Sequence, residues 1–260
     1  MNEVLKEIPH RILDLAKGAL AQANMHSTFA DPGNEHWDFI CVLNTAHAGE
    51  LFLKAAIAEE HPLLIFKDLF GFDDGQAAEI DIESLIKKGK THDFEKLPQI
   101  LWAVSGIRIS NRECFERLRR ARNAIQHFCA PDNEDFRKLS LEFIYTIIDP
   151  LIHSKFGLHA IEFHEDHNIG YDYIVERLVR SQLKFSIPDD FDLGEISLSD
   201  ALDGSSRKYK LWLKGELTKI GNTTCSIFDP AMYADSGIRK PIDQGAGIWP
   251  AAGFSETELS

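Results

Sequence analysis

Residues 110–129 read Ser-Asn-Arg-Glu-Cys-Phe-Glu-Arg-Leu-Arg-Arg-Ala-Arg-Asn-Ala-Ile-Gln-His-Phe-Cys. At 3.6 residues per turn, Cys114, Leu118, Ala121, Ile125, Phe128 and Cys129 gather on one side, the pattern of a helix that buries one face in a bundle. Ser110 or Asn111 supplies the N-cap. Arg120, Asn123 and His127 gather on the opposite side, while Arg122 falls only about 60° from the middle of the apolar stripe. A guanidinium so close to a core needs an anionic partner.

That partner is found on an earlier helix. From His36 to Glu60, Phe39, Leu43, Ala46, Leu53 and Ile57 keep helical register, and His61-Pro62 stops the run. Glu50 interrupts this stripe, so Glu50 and Arg122 are each other's natural counter-ions. A structural salt bridge explains such a pair as well as catalysis does.

Around these two helices the sequence predicts others. Residues 2–26 form an amphipathic helix with Pro9 near its start, carrying Val4, Leu5, Ile8, Ile12, Leu15, Ala16 and Ala19. Leu63 to Leu69 forms a short helix, Ile80 to Lys90 a short helical or linker piece, and Phe94 to Val104 a helix interrupted by Pro98. Asn133 caps a further helix running to about Ile148. The glycines at 71 and 75 form no phosphate loop, because no Gly-Lys-Ser/Thr follows. Short connections between these helices imply an antiparallel bundle over residues 1–155.

Past Gly157 the pattern changes. A helix over Tyr171 to Leu183 precedes an acidic loop from Pro188 to Gly204. Lys208-Tyr-Lys-Leu-Trp-Leu-Lys214 then alternates in period two as a half-buried strand does, with a partner strand through Thr223 to Phe228 and an irregular tail from Asp229. The expected fold class is therefore mainly α, with residues 156–260 as a smaller mixed α/β appendage. Trp37 and Trp102 read as core, and Trp212, on the polar face of the strand, as a contact residue.

The chain has 260 residues, 44% of them hydrophobic, enough to bury a sizeable core. Its net charge of −13 argues against broad attraction to nucleic acid. Locally the sign reverses: residues 108–122 hold six arginines and two glutamates. That surplus reads either as a solvated helix face or as a basic site. The sequence shows no apolar run of about 20 residues and no basic-then-apolar N-terminus, so a cytosolic protein without a membrane partner is expected. Cys41, Cys114, Cys129 and Cys225 are too irregularly spaced for a disulfide framework or zinc site. The stretch from His159 to His167 lacks the His-Glu-x-x-His spacing of a zinc helix, so neither metal nor cofactor is assigned.

Arg122-Asn-Ala-Ile-Gln-His127, on a helix preceded by one bearing His47-Ala-Gly-Glu50-Leu-Phe-Leu-Lys54, resembles the signature of the HEPN superfamily. The resemblance covers residues 1–155. It implies a metal-independent endoribonuclease, without cofactor, that acts as a homodimer in which the two motif helices meet. Arg122, His127 and Asn123 would be catalytic, Glu50 and His47 supporting, and Arg119 and Arg120 RNA-binding. It further implies an RNA substrate, roles in toxin–antitoxin systems, phage defence or RNA processing, and a protein antitoxin or regulator as partner. Geometry supports the dimer independently: five residues separate Arg122 from His127 by about 140° on an ideal helix, too divergent for both to address one phosphate. The alternative is an inactive HEPN-like module for dimerisation or for binding a nucleotide or protein, with His127 a surface histidine and Arg122 a core ion pair.

Overall fold

The structure is a computed structural model that describes residues 2–29, 33, 37–70, 80–129, 134–164, 170–192, 196 and 198–221. The chain divides into two compact units, residues 1–165 and 166–260. Both are helical among the described residues, where the sole β-pairing is an isolated bridge between Phe66 and Thr91.

The first unit opens with α1 (Glu3–Lys6) and α2 (Ile8–Thr28). Pro9 sits in the first turn of α2, where its missing N–H costs nothing. Ala16, Leu20 and Ala23 are buried, but Leu15, assigned above to the core stripe, is 65% exposed. Next comes α3 (Trp37–Glu60). The His26 ring near the end of α2 meets Trp37 edge-on at 5.2 Å, so the two helices form a hairpin. By length and apolarity α3 resembles a membrane span, the only described helix that does. Most of it is instead covered by protein, with Cys41, Val42, Phe52, Leu53 and Ile57 almost fully buried.

A 3₁₀ turn (Pro62–Ile65) capped by His61, then α4 (Ile82–Lys88), lead to the bridge at Thr91. After a second 3₁₀ turn (Phe94–Lys96), α5 (Leu97–Ser105) begins with Pro98 in its first turn and ends at Gly106, whose φ of 74° suits a glycine cap. The decisive helix is α6 (Arg112–His127). The Asn111 side chain accepts from Cys114 N at 3.1 Å, as expected of an N-cap. Beyond the undescribed residues 130–133, α7 (Phe136–Phe143) is capped by Asp135, whose carboxylate accepts from Lys138 N. Asn133, the expected cap, lies outside the described residues. A π-helical segment (Ile144–Ile148) carries α7 directly into α8 (Asp149–Phe156).

Three phenylalanines form the aromatic centre where α3, α6 and α7 meet. Phe115 lies 4.7 Å from Phe94 and 6.0 Å from Phe143, centroid to centroid. Gly49 makes room for this cluster: a Cβ there would lie 2.6 Å from Phe143 Cε1. At the other end, the fully buried Asn24 side chain donates to the Ala160 and Phe163 carbonyls and accepts from the Tyr145 hydroxyl. Satisfying a buried amide this fully ties the turn at 160–163 to α2.

The second unit contains α9 (Asp172–Arg180), α10 (Leu198–Ala201) and α11 (Arg207–Lys219). The strand expected at Lys208–Lys214 is part of α11, so the described part of this unit is helical and not mixed α/β. The alternation of Tyr209, Leu211 and Leu213 imitates a strand, but Tyr209, Leu213 and Leu217 also recur every fourth residue and are the ones buried, while Leu211 is 59% exposed. Ser206 caps the helix at Tyr209 N. Trp212, read above as a free contact residue, packs edge-on against Phe185 at 5.8 Å and beneath Lys184. The proposed partner strand at Thr223–Phe228 lies outside the described residues.

Gly49→Ala is expected to destabilise the protein. Alanine gains about 1 kcal/mol of helix propensity, but wedging a methyl against a packed phenyl ring costs about 1–3 kcal/mol. Thermal denaturation should show a lower midpoint for Gly49→Ala and a lower one still for Gly49→Val.

Candidate active site on α6

The beginning of α6 is tied down. Asn111 Nδ2 donates to Glu142 and to Thr146 Oγ1, and the Ser110 hydroxyl donates to the Thr146 carbonyl within the π segment. Arg117 bridges Glu134 at 2.7 Å and Glu142 at 3.2 Å. Cys114, Phe115, Leu118 and Ala121 are buried as their spacing predicts.

The end of α6 is not buried. Ile125 is only half-buried, Cys129 is exposed, and Phe128 is 92% exposed, all three against the expectation of a continuous core stripe. The stripe fails at Phe128 and Cys129 because α6 ends at His127, and the non-helical backbone of Phe128 takes both residues out of the helical register that their spacing assumed. Cys41 and Cys114 are free and buried, and burial pushes both thiols up to about 12. Cys129 is free and exposed, and Cys225 lies outside the described residues.

Glu50 and Arg122 do meet, with Arg122 Nη2 to Glu50 Oε2 at 3.5 Å. Glu50's tighter partner is Lys54, one turn along α3, at 2.7 Å. Lys54 in turn donates to Thr91 Oγ1 at 3.0 Å, so the bridge at Phe66 and Thr91 is coupled to this carboxylate. One partly buried anion thus sits between two partly buried cations, with side chains 19%, 12% and 27% exposed for Glu50, Lys54 and Arg122. Arg122 contributes a single long bond and lies 5.8 Å from the Phe94 ring centroid, leaving most of its five N–H donors for another acceptor.

The other candidates are solvent-facing. His47, Asn123 and His127 are exposed, and no hydrogen bond or ion pair joins any of these three side chains to Arg122 or Glu50 among the described residues. Within one chain, therefore, Arg122 and Glu50 come together and His127 stands apart. Arg119 is committed to two carboxylates, Glu116 at 3.0 Å and Glu95 at 3.4 Å, and Arg120 donates to the Glu116 carbonyl.

Sequence reasoning assigned Lys54 no role beyond its place in the His47–Lys54 pattern, and Thr91 and His92 none at all. The i,i+4 spacing of Glu50 and Lys54 was a readable signal. Thr91 and His92 gave none, because only the fold brings their loop to α3. His92 is held below its ordinary range by burial and by Lys67. Among the described residues no cluster of three or more His, Cys, Asp or Glu side chains is arranged to hold a metal. Of the His159–His167 stretch, residues 165–167 lie outside the described residues. No protein-family model, curated protein or solved structure matches the chain.

Two outcomes are expected. Glu50→Gln leaves Lys54 and Arg122 as neighbouring, partly buried cations, and urea denaturation should show a loss of about 1–3 kcal/mol. Glu50→Gln combined with Lys54→Met should recover part of that loss. For His92, a folded pKa below the ordinary 6.5 means that the unfolded chain binds its proton more readily. Its contribution is fully present above 6.5 and is lost as pH falls from there toward the folded value. His92→Gln should therefore flatten the dependence of stability on pH in that window.

Proposed function

We propose that this chain is a metal-independent endoribonuclease of HEPN type that works as a homodimer, the two α6 ends facing each other. The observation that carries this reading is the exposed end of α6, where His127 stands beside the almost fully exposed Phe128 while Arg122 keeps unused donors. A phenyl ring left in water next to the motif histidine is an apolar contact for a second copy. An isologous contact would bring the diverging Arg122 and His127 of the two chains around one phosphate.

The chemistry follows from the groups. One His127 takes the proton of a ribose 2′-hydroxyl as the 2′-oxygen forms its bond to phosphorus. The P–O5′ bond breaks, and the second chain's His127 protonates the departing 5′-oxygen. Arg122 donates to the non-bridging oxygens as their charge rises, and Asn123 orients histidine or phosphate. The products are a 2′,3′-cyclic phosphate and a 5′-hydroxyl. Glu50 and Lys54 hold Arg122, and His47 lies one turn earlier on α3 as a supporting group. An antitoxin-like protein covering the α6 ends would silence such an enzyme.

One observation favours a second reading, an inactive dimerisation or binding module: Arg122 already has an anionic neighbour in Glu50. Purified protein incubated with RNA in EDTA separates the two. The ribonuclease reading expects cyclic phosphate ends and a fall of about 10²- to 10⁴-fold in His127→Ala, with a comparable fall in Arg122→Ala. Uncut RNA from a folded, dimeric wild type would establish the module.

A further inference from the structure

Between α5 and the start of α6 lies a cleft of about 330 Å³, within the range of roughly 300–1,000 Å³ for small-molecule sites. Trp102, Arg108, Arg112, Gln99, Glu95 and Glu116 line it. Trp102, expected from sequence to be core, is 51% exposed and carries the Arg108 guanidinium 5.5 Å from its ring centroid.

The charges here do not cancel. Glu95 and Glu116 are both paired with Arg119, and Lys96 stands 3.9 Å from Glu95. Arg108 and Arg112 have no carboxylate partner among the described residues, so with Arg119 and Lys96 engaged by the two lining glutamates, two arginines beside an exposed indole are left for an anion in a chain of net charge −13. An exposed indole with one arginine against its ring and a second lining the same cleft is a combination that can stack a base and hold its adjoining phosphates. Gln99 adds an amide with both donor and acceptor for a base edge.

Position connects the cleft to the far end of α6. Arg112, Glu116, Arg119, Asn123 and His127 fall within a sector of about 80° on an ideal helix, so they form one polar stripe. Arg112 and His127 are its two ends, about 22 Å apart at 1.5 Å per residue.

We propose that this cleft is a nucleotide subsite for single-stranded RNA: one base stacks on Trp102, Arg108 and Arg112 take the adjoining phosphates, and the strand follows the α6 stripe toward His127. The last part rests on the ribonuclease reading; the stacking site does not.

The test uses the full chain carrying His127→Ala, so that RNA stays intact, and measures binding of a fluorescent single-stranded RNA dodecamer by anisotropy. Trp102→Ala should weaken binding about tenfold or more, Trp102→Phe should retain most of it, and each of Arg108→Gln and Arg112→Gln should lower the salt slope by about 0.7. Unchanged affinity in Trp102→Ala overturns the site. Equal affinity for a polyglutamate peptide would mark a merely cationic surface and also overturn it. Adenosine monophosphate binding as tightly as the dodecamer would assign the cleft to free nucleotides and overturn the strand path. Failure of catalysis reads separately: a chain that binds through Trp102 without cutting keeps the subsite and removes the ribonuclease, and a Trp102→Ala variant with His127 intact that cuts as well as wild type does the reverse.

Discussion

A carboxylate in the middle of a buried helix face constrains everything packed against it. Glu50 occupies that place on α3, and the cost of desolvating its charge is offset only while cations stay within reach. Lys54 meets it at 2.7 Å and Arg122 at 3.5 Å. Since Lys54 also holds Thr91, one anion links α6 and the loop after α4 to the same point on α3. An apolar residue at position 50 would pack more simply, but it would release Arg122 from its fixed bearing on the rest of α6.

With α6 tied to α3 at this point, its two ends behave differently. The first three turns are held by Asn111, Ser110 and Arg117 against α7 and the π segment, and by Phe115 within the aromatic centre. The last turn has fewer such restraints: His127 at its end is exposed, as are Phe128 and Cys129 just beyond it. A helix rigid at one end and bare at the other offers defined side-chain positions to whatever covers the bare end. Preorganisation of that kind lowers the ordering cost of association.

Much of this was legible in the sequence. The extent of α3, the existence of α6 with Asn111 as one of two candidate caps, and the Glu50–Arg122 encounter followed from period and from the cost of burying charge, while α6 ends at His127, two residues before the expected end. The misses come from what local pattern leaves open: where a helix ends, and what packs against it. Phe128 has the spacing of a core residue only if the helix continues past His127, where it ends, and Trp102 is half-exposed on α5. At Lys208–Lys214 the alternation of Tyr209, Leu211 and Leu213 is compatible with strand or helix, and burial of Leu217 decides for the helix. Glu50's preference for Lys54 over Arg122 is a matter of reach, which spacing leaves open.

The acidity of the chain need not conflict with an anionic substrate. At about 0.15 M salt the Debye length is about 8 Å, so carboxylates farther than that contribute little to the potential in a cleft or at a helix end. What counts is the local balance, and around α6 most carboxylates are paired, Glu116 with Arg119, Glu95 with Arg119 and Lys96, Glu142 and Glu134 with Arg117, while the exposed Glu113 has no ion pair among the described residues. The arginines without such partners, Arg108 and Arg112, and the incompletely used Arg122, are left facing solvent or near it.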